Sequence, residues 1–140
     1  MTTPLWALLA FAIWTVLLLL GTVGVYRWSR ILTGRVAISA FRADRVEGDD
    51  WYRRAMRAHA NCIENLPVFG AIVLALHASG ITSSTADRLA VTAVVARVAQ
   101  SLVHVGLAQT DAVTSVRFAF FSVQLVCFLA MAAIVVTGAS

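Results

Sequence analysis

Four long apolar runs dominate this chain of 140 residues. At about 1.5 Å per helical residue, runs of this length can cross a hydrocarbon core about 30 Å thick. Hydrophobic residues make up 60% of the sequence and charged residues 13%, whereas soluble domains carry about 25% charged residues. The composition therefore predicts an all-α integral membrane protein, a four-helix bundle forming one domain over residues 1–140. The predicted spans are residues 5–26, 57–78, 86–108 and 116–136.

Positive charge is concentrated in one segment. All eleven basic residues are arginines, and eight of them lie between Arg27 and Arg57. Arginine-rich connections tend to stay in the cytoplasm, so we expect the first connection, residues 27–54, to be cytoplasmic and both termini to lie outside. This connection is either a surface helix or a solvated loop. Because the charge is explained by topology, we expect no nucleic-acid partner.

The second apolar run is interrupted by polar side chains. Arg57, Asn61 and Glu64 are spaced i, i+4, i+7, which places them on one face of a helix. Charged groups inside a membrane span are costly, and they usually mark a binding site or an ion path. Pro67 follows shortly afterwards and predicts a kink. This stripe is therefore a candidate binding surface.

Matching polar positions occur in the third and fourth runs. Arg97, Gln100 and His104 share one helical face, and Arg117 opens the fourth run. The simplest arrangement is a buried ion pair between Glu64 and Arg97, and a purely structural pair is the alternative interpretation. Cations and amides outnumber the single carboxylate, so the set suits an anionic, peptide-like ligand. No spacing typical of metal ligands is present.

The sequence RAHANCIENLPVF of residues 57–69 resembles the signature of the MAPEG family, membrane-associated proteins in eicosanoid and glutathione metabolism. The family includes microsomal glutathione transferases, and this compact chain is similar to its bacterial branch. Four spans, a charged first connection and arginines in the last two spans agree with the family. The resemblance implies a homotrimer in a bacterial inner membrane. It also implies that glutathione binds between adjacent protomers, near the cytoplasmic side.

By matching position, the resemblance implies roles for particular residues. Those expected to bind the thiol are Arg57, Asn61, Glu64, Arg97, Gln100 and His104. Arg117 would be catalytic, because a cation beside a thiol stabilises the reactive thiolate. Catalytic relatives often have a basic residue at the position of Ala60 and tyrosines near the positions of His104 and Phe121. Prostaglandin or leukotriene synthesis is therefore not expected.

The expected function is that of a membrane-bound, thiol-dependent transferase or peroxidase acting on small hydrophobic electrophiles from the lipid bilayer. Glutathione or another low-molecular-weight thiol would be the co-substrate, and no metal is expected. All basic residues are arginines and alanine is abundant, which suggests a high-GC genome. Because some high-GC bacteria use thiols other than glutathione, the identity of the thiol stays open. One alternative is a non-catalytic membrane protein that binds a lipid or a partner complex. A small transporter subunit is a third hypothesis.

Overall fold

The computed structural model describes residues 1–42 and 46–138, and all regular structure within them is helical. Within these described residues, four helical segments are long and apolar enough to cross a membrane. This confirms the all-helical membrane bundle expected from the sequence. The four segments are Thr3–Leu32, Asp50–Ala78, Ser84–Gly106 and Asp111–Thr137.

The first segment is one continuous helix whose hydrogen-bonding pattern changes along its length. It comprises α1 (Thr3–Leu18), a π-helical stretch (Leu19–Gly24) and α2 (Val25–Leu32). A proline in the first turn of α1 is tolerated there because that N–H would have no partner in the helix. After α2, Gly34 adopts a φ of +67° and the N–H of Arg35 donates to the carbonyl of Arg30 at 3.0 Å. This glycine cap ends the helix.

The second segment, α3 (Asp50–Ala78), begins earlier than expected and contains Pro67. Because α2 also extends to Leu32, the predicted connection of residues 27–54 is longer than the one observed, which comprises residues 33–49. Hydropathy marks only the part of a helix that lies in hydrocarbon, so the charged turns beyond it were missed. The described residues of the connection contain one short 3₁₀ turn, Ile38–Ala40.

The last two helices, α4 (Ser84–Gly106) and α5 (Asp111–Thr137), pack along each other. The hydroxyl of Thr110 caps α5 by accepting from the N–H of Val113 at 3.2 Å. Along α4 the buried face changes character, from small apolar side chains to polar ones. Its apolar half consists of Ala86, Ala90 and Ala93, and its polar half of Arg97, Gln100, Ser101 and His104.

An aromatic stack fixes three helices at the level of the apolar core. The ring of Phe69 on α3 lies 5.8 Å from that of Phe11 on α1 and 5.4 Å from that of Phe128 on α5. Near the arginine-rich end of the bundle, the rings of Tyr26 and Tyr52 stack at 4.1 Å. We call this end the arginine collar; it comprises α2, the described residues of the connection and the first two turns of α3.

Candidate functional site

The polar stripe of α3 faces away from the core of the protomer. Arg57 and Glu64 are exposed and Asn61 is half-buried, whereas Cys62, on the opposite side of the helix, is fully buried. Asn65 belongs to the same outward surface, and its Nδ2 donates to the carbonyl of Asn61 at 2.8 Å. The stripe therefore presents a carboxylate and two amides to whatever lies beside α3.

A cavity of about 420 Å³ opens along this surface, between α3 and α5. Small-molecule sites typically have volumes of about 300–1,000 Å³. Four of the residues predicted to form the site line it together, namely Asn61, Glu64, Gln100 and Arg117. The other lining residues, which the sequence analysis did not select, are Asn65, Thr114, Phe118 and Phe121. Asn65 was detectable in principle as a second amide inside an apolar run.

Arg97 does not line this cavity. Its side chain is only 1% exposed, and its guanidinium lies 5.6 Å from the centre of the Phe11 ring, toward α1. Its Nε and Nη2 atoms have no hydrogen-bond partner among the described residues. The predicted ion pair with Glu64 was wrong for the single protomer: no such contact within 4.0 Å occurs between these two described residues. Glu64 faces outward while Arg97 faces the interior, so the two groups interact only at longer range.

Gln100 is tied to α5. Its Nε2 donates to the backbone carbonyl of Arg117 at 3.1 Å, and its Oε1 accepts from Nε2 of Gln124 at 3.0 Å. The same nitrogen of Gln124 also donates to the carbonyl of Phe120 at 2.9 Å. Gln100 therefore supports the backbone that carries Arg117 as well as lining the cavity. Gln124 was overlooked as a site residue, although a buried amide in an apolar span is itself a signal.

Positive charge gathers at the collar end of the cavity. His104 is buried, and it lies within electrostatic range of Arg117, Arg57 and Arg54. Arg54 reaches across to α4, where its Nε donates to the carbonyl of Val105 at 3.4 Å. Arg54 also pairs with Asp50. Arg57 and His104 do not line the cavity themselves, and it is the arginines around His104 that make this end of it electropositive.

The side chain of Arg117 has unused hydrogen-bonding capacity. Its Nε atom is buried and has no partner among the described residues, although the residue lines the cavity. Beside it are the rings of Phe118 and Phe121, so a cationic donor and an apolar surface adjoin. Such an arrangement can hold an anion, such as a carboxylate or a thiolate, next to a hydrophobic molecule.

The described residues were also compared with the side-chain clusters that hold metal ions. No group of three or more His, Cys, Asp or Glu side chains there could hold a metal ion. Both cysteines, Cys62 and Cys127, are free and buried. The polar groups that line the cavity are one guanidinium, one carboxylate, three amides and one hydroxyl.

Comparison with known protein families gives one match. Residues 4–137, nearly the whole chain, match the MAPEG family. No curated protein and no solved structure matches the chain with significance. The MAPEG family is a family of membrane helical bundles that includes glutathione transferases and related membrane proteins, and its members use glutathione. Both the helical architecture and the family match support one assignment: this chain belongs to the MAPEG family.

Proposed function

We propose that this protein is a membrane-bound transferase or peroxidase that uses glutathione, or another low-molecular-weight thiol, against hydrophobic electrophiles. The observation that carries the proposal is that Arg117, whose buried Nε has no partner among the described residues, lines the same cavity as Glu64. A thiol tripeptide offers both carboxylates and an ammonium group. Arginines can bind its carboxylates and Glu64 its ammonium, while Asn61 offers an amide partner.

In the proposed reaction, Arg117 stabilises the sulfur as a thiolate after the thiol proton leaves to solvent. The thiolate then attacks an electrophilic carbon; a sulfur–carbon bond forms, and the leaving group departs with its electron pair. Since only a thiolate is strongly nucleophilic, a neighbouring cation raises the reactive fraction of thiol. With a hydroperoxide instead, two thiols would be oxidised to a disulfide as the peroxide is reduced to an alcohol and water.

The aromatic wall of the cavity suits a substrate that arrives through the bilayer. Phe118 is 68% exposed, and Phe121 is half-buried beside it. Both lie on the same side as the carboxylate of Glu64. A hydrophobic electrophile could therefore reach the thiol laterally without crossing water. We propose an aromatic or other apolar molecule with an electrophilic carbon or a peroxide group.

We further propose that the working unit is a homotrimer whose site is completed by a neighbouring protomer. Glu64 and Arg57 are exposed on a membrane helix, and a charged group facing lipid at mid-span costs about 2.5–3.5 kcal/mol. A neighbouring copy covering this face would remove that cost. The arginine-rich connection supports a cytoplasmic collar with both termini outside. We propose that the membrane is a bacterial inner membrane.

A second candidate is a non-catalytic membrane protein that binds a lipid or a partner complex. It is favoured by the aromatic wall, in which Phe118 and Phe121 have no hydroxyl to donate to a bound thiol. The two candidates differ in one respect that can be measured: only the transferase consumes thiol.

The test is glutathione conjugation of a model chlorodinitrobenzene by the purified protein in lipid nanodiscs. The Arg117→Ala variant should lose about 100-fold or more in kcat/KM, as expected when one oriented donor is removed from a developing anion. Arg88→Ala is the matched control. Arg88 is an exposed arginine near the start of α4, at the end of that helix far from the collar. Unchanged turnover in Arg117→Ala would refute the assigned role. Absence of turnover in the wild type with a broad electrophile panel, while thiol still binds, would favour the non-catalytic candidate.

A further inference from the structure

The whole formal net charge of the chain belongs to the segment between Arg27 and Arg57. That segment contains eight arginines and four acidic residues, and the chain's net charge is +4. Elsewhere each acidic residue is matched by one arginine. Those charged residues are three acids, Glu64, Asp87 and Asp111, and three arginines, Arg88, Arg97 and Arg117. One end of the bundle is therefore electropositive, and the rest is neutral.

The length of the first helical segment indicates that this charge lies near the lipid headgroups. The first helical segment, Thr3–Leu32, has 30 residues and would be about 45 Å long, against a hydrocarbon core of about 30 Å. Its last turns, α2, therefore extend beyond the hydrocarbon. On α2, Val25, Trp28 and Leu32 form an outward stripe, spaced i, i+3, i+7, and Trp28 and Leu32 are 60% and 78% exposed. Tryptophan is characteristic of the headgroup region.

The arginines of the collar fall into two groups. Arg30 is structural: it pairs with Asp49 at 2.8 Å, and its guanidinium lies 4.3 Å from the centre of the Tyr26 ring. Arg35 is different. It follows the glycine cap immediately after Leu32, is exposed and forms no ion pair with any described residue. Arg53 is also exposed, and its contact with Asp50 is long, at 3.5 Å.

We propose that the arginine collar binds the headgroups of anionic phospholipids, with Arg35 as a phosphate ligand and Trp28 and Leu32 as the apolar anchors. The guanidinium fork matches phosphate oxygens and can bind two of them at once. The apolar stripe of α2 continues directly into the lipid-facing surface of the first span. That continuity favours lipid over a soluble acidic partner, which would have to cover Trp28 and Leu32 while they face the bilayer.

The contribution of Arg35 to the preference for anionic lipid has an expected size. An arginine beside an anionic membrane surface favours binding by about fivefold. The effect decays within the screening length of the solution, about 10 Å at 0.1 M salt. The preference for anionic over zwitterionic lipid should therefore fall by about fivefold when Arg35 is neutralised, and it should weaken as salt is raised.

The test uses the full chain in nanodiscs with Trp6, Trp14 and Trp51 replaced by Phe, so that Trp28 is the only tryptophan. Its quenching is compared between brominated phosphatidylglycerol and brominated phosphatidylcholine at equal mole fractions. Stronger quenching by the anionic lipid is expected, together with a fivefold weaker preference in Arg35→Gln. Arg88→Gln, the control, should retain the full preference. Equal quenching by the two lipids, or an unchanged preference in Arg35→Gln, would overturn the proposal.

A second measurement covers the case in which the triple Phe variant does not fold. The wild-type chain and Arg35→Gln, both with all four tryptophans, are titrated in detergent with each lipid while the unfolding temperature is followed. Phosphatidylglycerol should raise the unfolding temperature of the wild type at lower lipid concentration than phosphatidylcholine does. The difference should shrink in Arg35→Gln and at high salt. Identical titration curves for the two lipids would contradict the proposal.

Discussion

Gln124 donates a hydrogen bond from its Nε2 to Oε1 of Gln100 at 3.0 Å, inside the bundle and between α4 and α5. Gln100 in turn donates to the backbone carbonyl of Arg117 at 3.1 Å. Two buried amides thus link α4 to the turn of α5 that carries the proposed catalytic arginine. A buried polar group left without a partner is costly where no water can replace it.

Replacing Gln124 by Leu should therefore affect both stability and the position of Arg117. Hydrogen bonds between membrane helices contribute about 0.6 kcal/mol on average and up to about 1.7 kcal/mol, so we expect destabilisation in this range. Thermal unfolding in detergent measures it, with Gln109→Leu in the exposed α4–α5 connector as control. If Gln124 acts through Arg117, kcat should fall more than thiol affinity does. A variant whose stability and kcat both equal those of the wild type would contradict this link.

Glu64→Gln should weaken glutathione binding. Hydrogen bonds to charged groups contribute about 1.5–3 kcal/mol, which corresponds to about 10- to 150-fold in Kd. The amide keeps the size of the side chain but removes the negative charge that would bind an ammonium group. Isothermal titration measures the effect. Asp87→Asn, in the first turn of α4, is the control, because Asp87 lies at the opposite end of that helix from the collar. Wild-type affinity in Glu64→Gln would exclude Glu64 from the thiol site.

The outward charges of α3 predict an assembled protein. Because Arg57 and Glu64 are exposed in the single protomer, we expect a second copy to cover them. Native mass spectrometry from mild detergent should find three copies of the chain together. A monomer that conjugates thiol at the full rate would contradict a site shared between protomers.

The collar depends on one glycine. Gly48 has a φ of +142°, and a Cβ there would lie 2.7 Å from the hydroxyl of Tyr26 and 2.9 Å from a ring carbon of Tyr52. Gly48→Ala should therefore destabilise the protein by about 1–3 kcal/mol, the usual cost of a strained backbone position. Gly106→Ala is the control, because a Cβ at Gly106 meets nothing within 4 Å and φ there is not positive. Equal unfolding temperatures for the two variants would show that the collar tolerates a side chain at residue 48.

Most of the fold could be predicted from apolar run length, because a chain in lipid must satisfy its own backbone hydrogen bonds within helices. Turns outside the hydrocarbon, such as the start of α3 at Asp50, have no such signal. The π-helical stretch Leu19–Gly24 could not be predicted either, since its mostly apolar sequence has no periodicity that departs from an α-helix.

Only the part of the site that depends on a single helix could be predicted from the sequence. Helical spacing correctly grouped Asn61 with Glu64, because it depends only on one helix. It could not give the rotation of α3 relative to α4, and so the Glu64–Arg97 ion pair was wrong within the protomer. The bonds of Gln100 to α5 likewise depend on how two helices pack.

The central claim is that Arg117 holds a bound thiol as thiolate. Ultraviolet difference spectroscopy on mixing the protein with glutathione near neutral pH tests it directly, because thiolate absorbs where thiol does not. We predict a thiolate signal that saturates with glutathione in the wild type and is absent in Arg117→Ala, while Arg88→Ala keeps the signal. A wild-type protein that binds glutathione with no thiolate signal, or an Arg117→Ala variant with the full signal, would contradict the account.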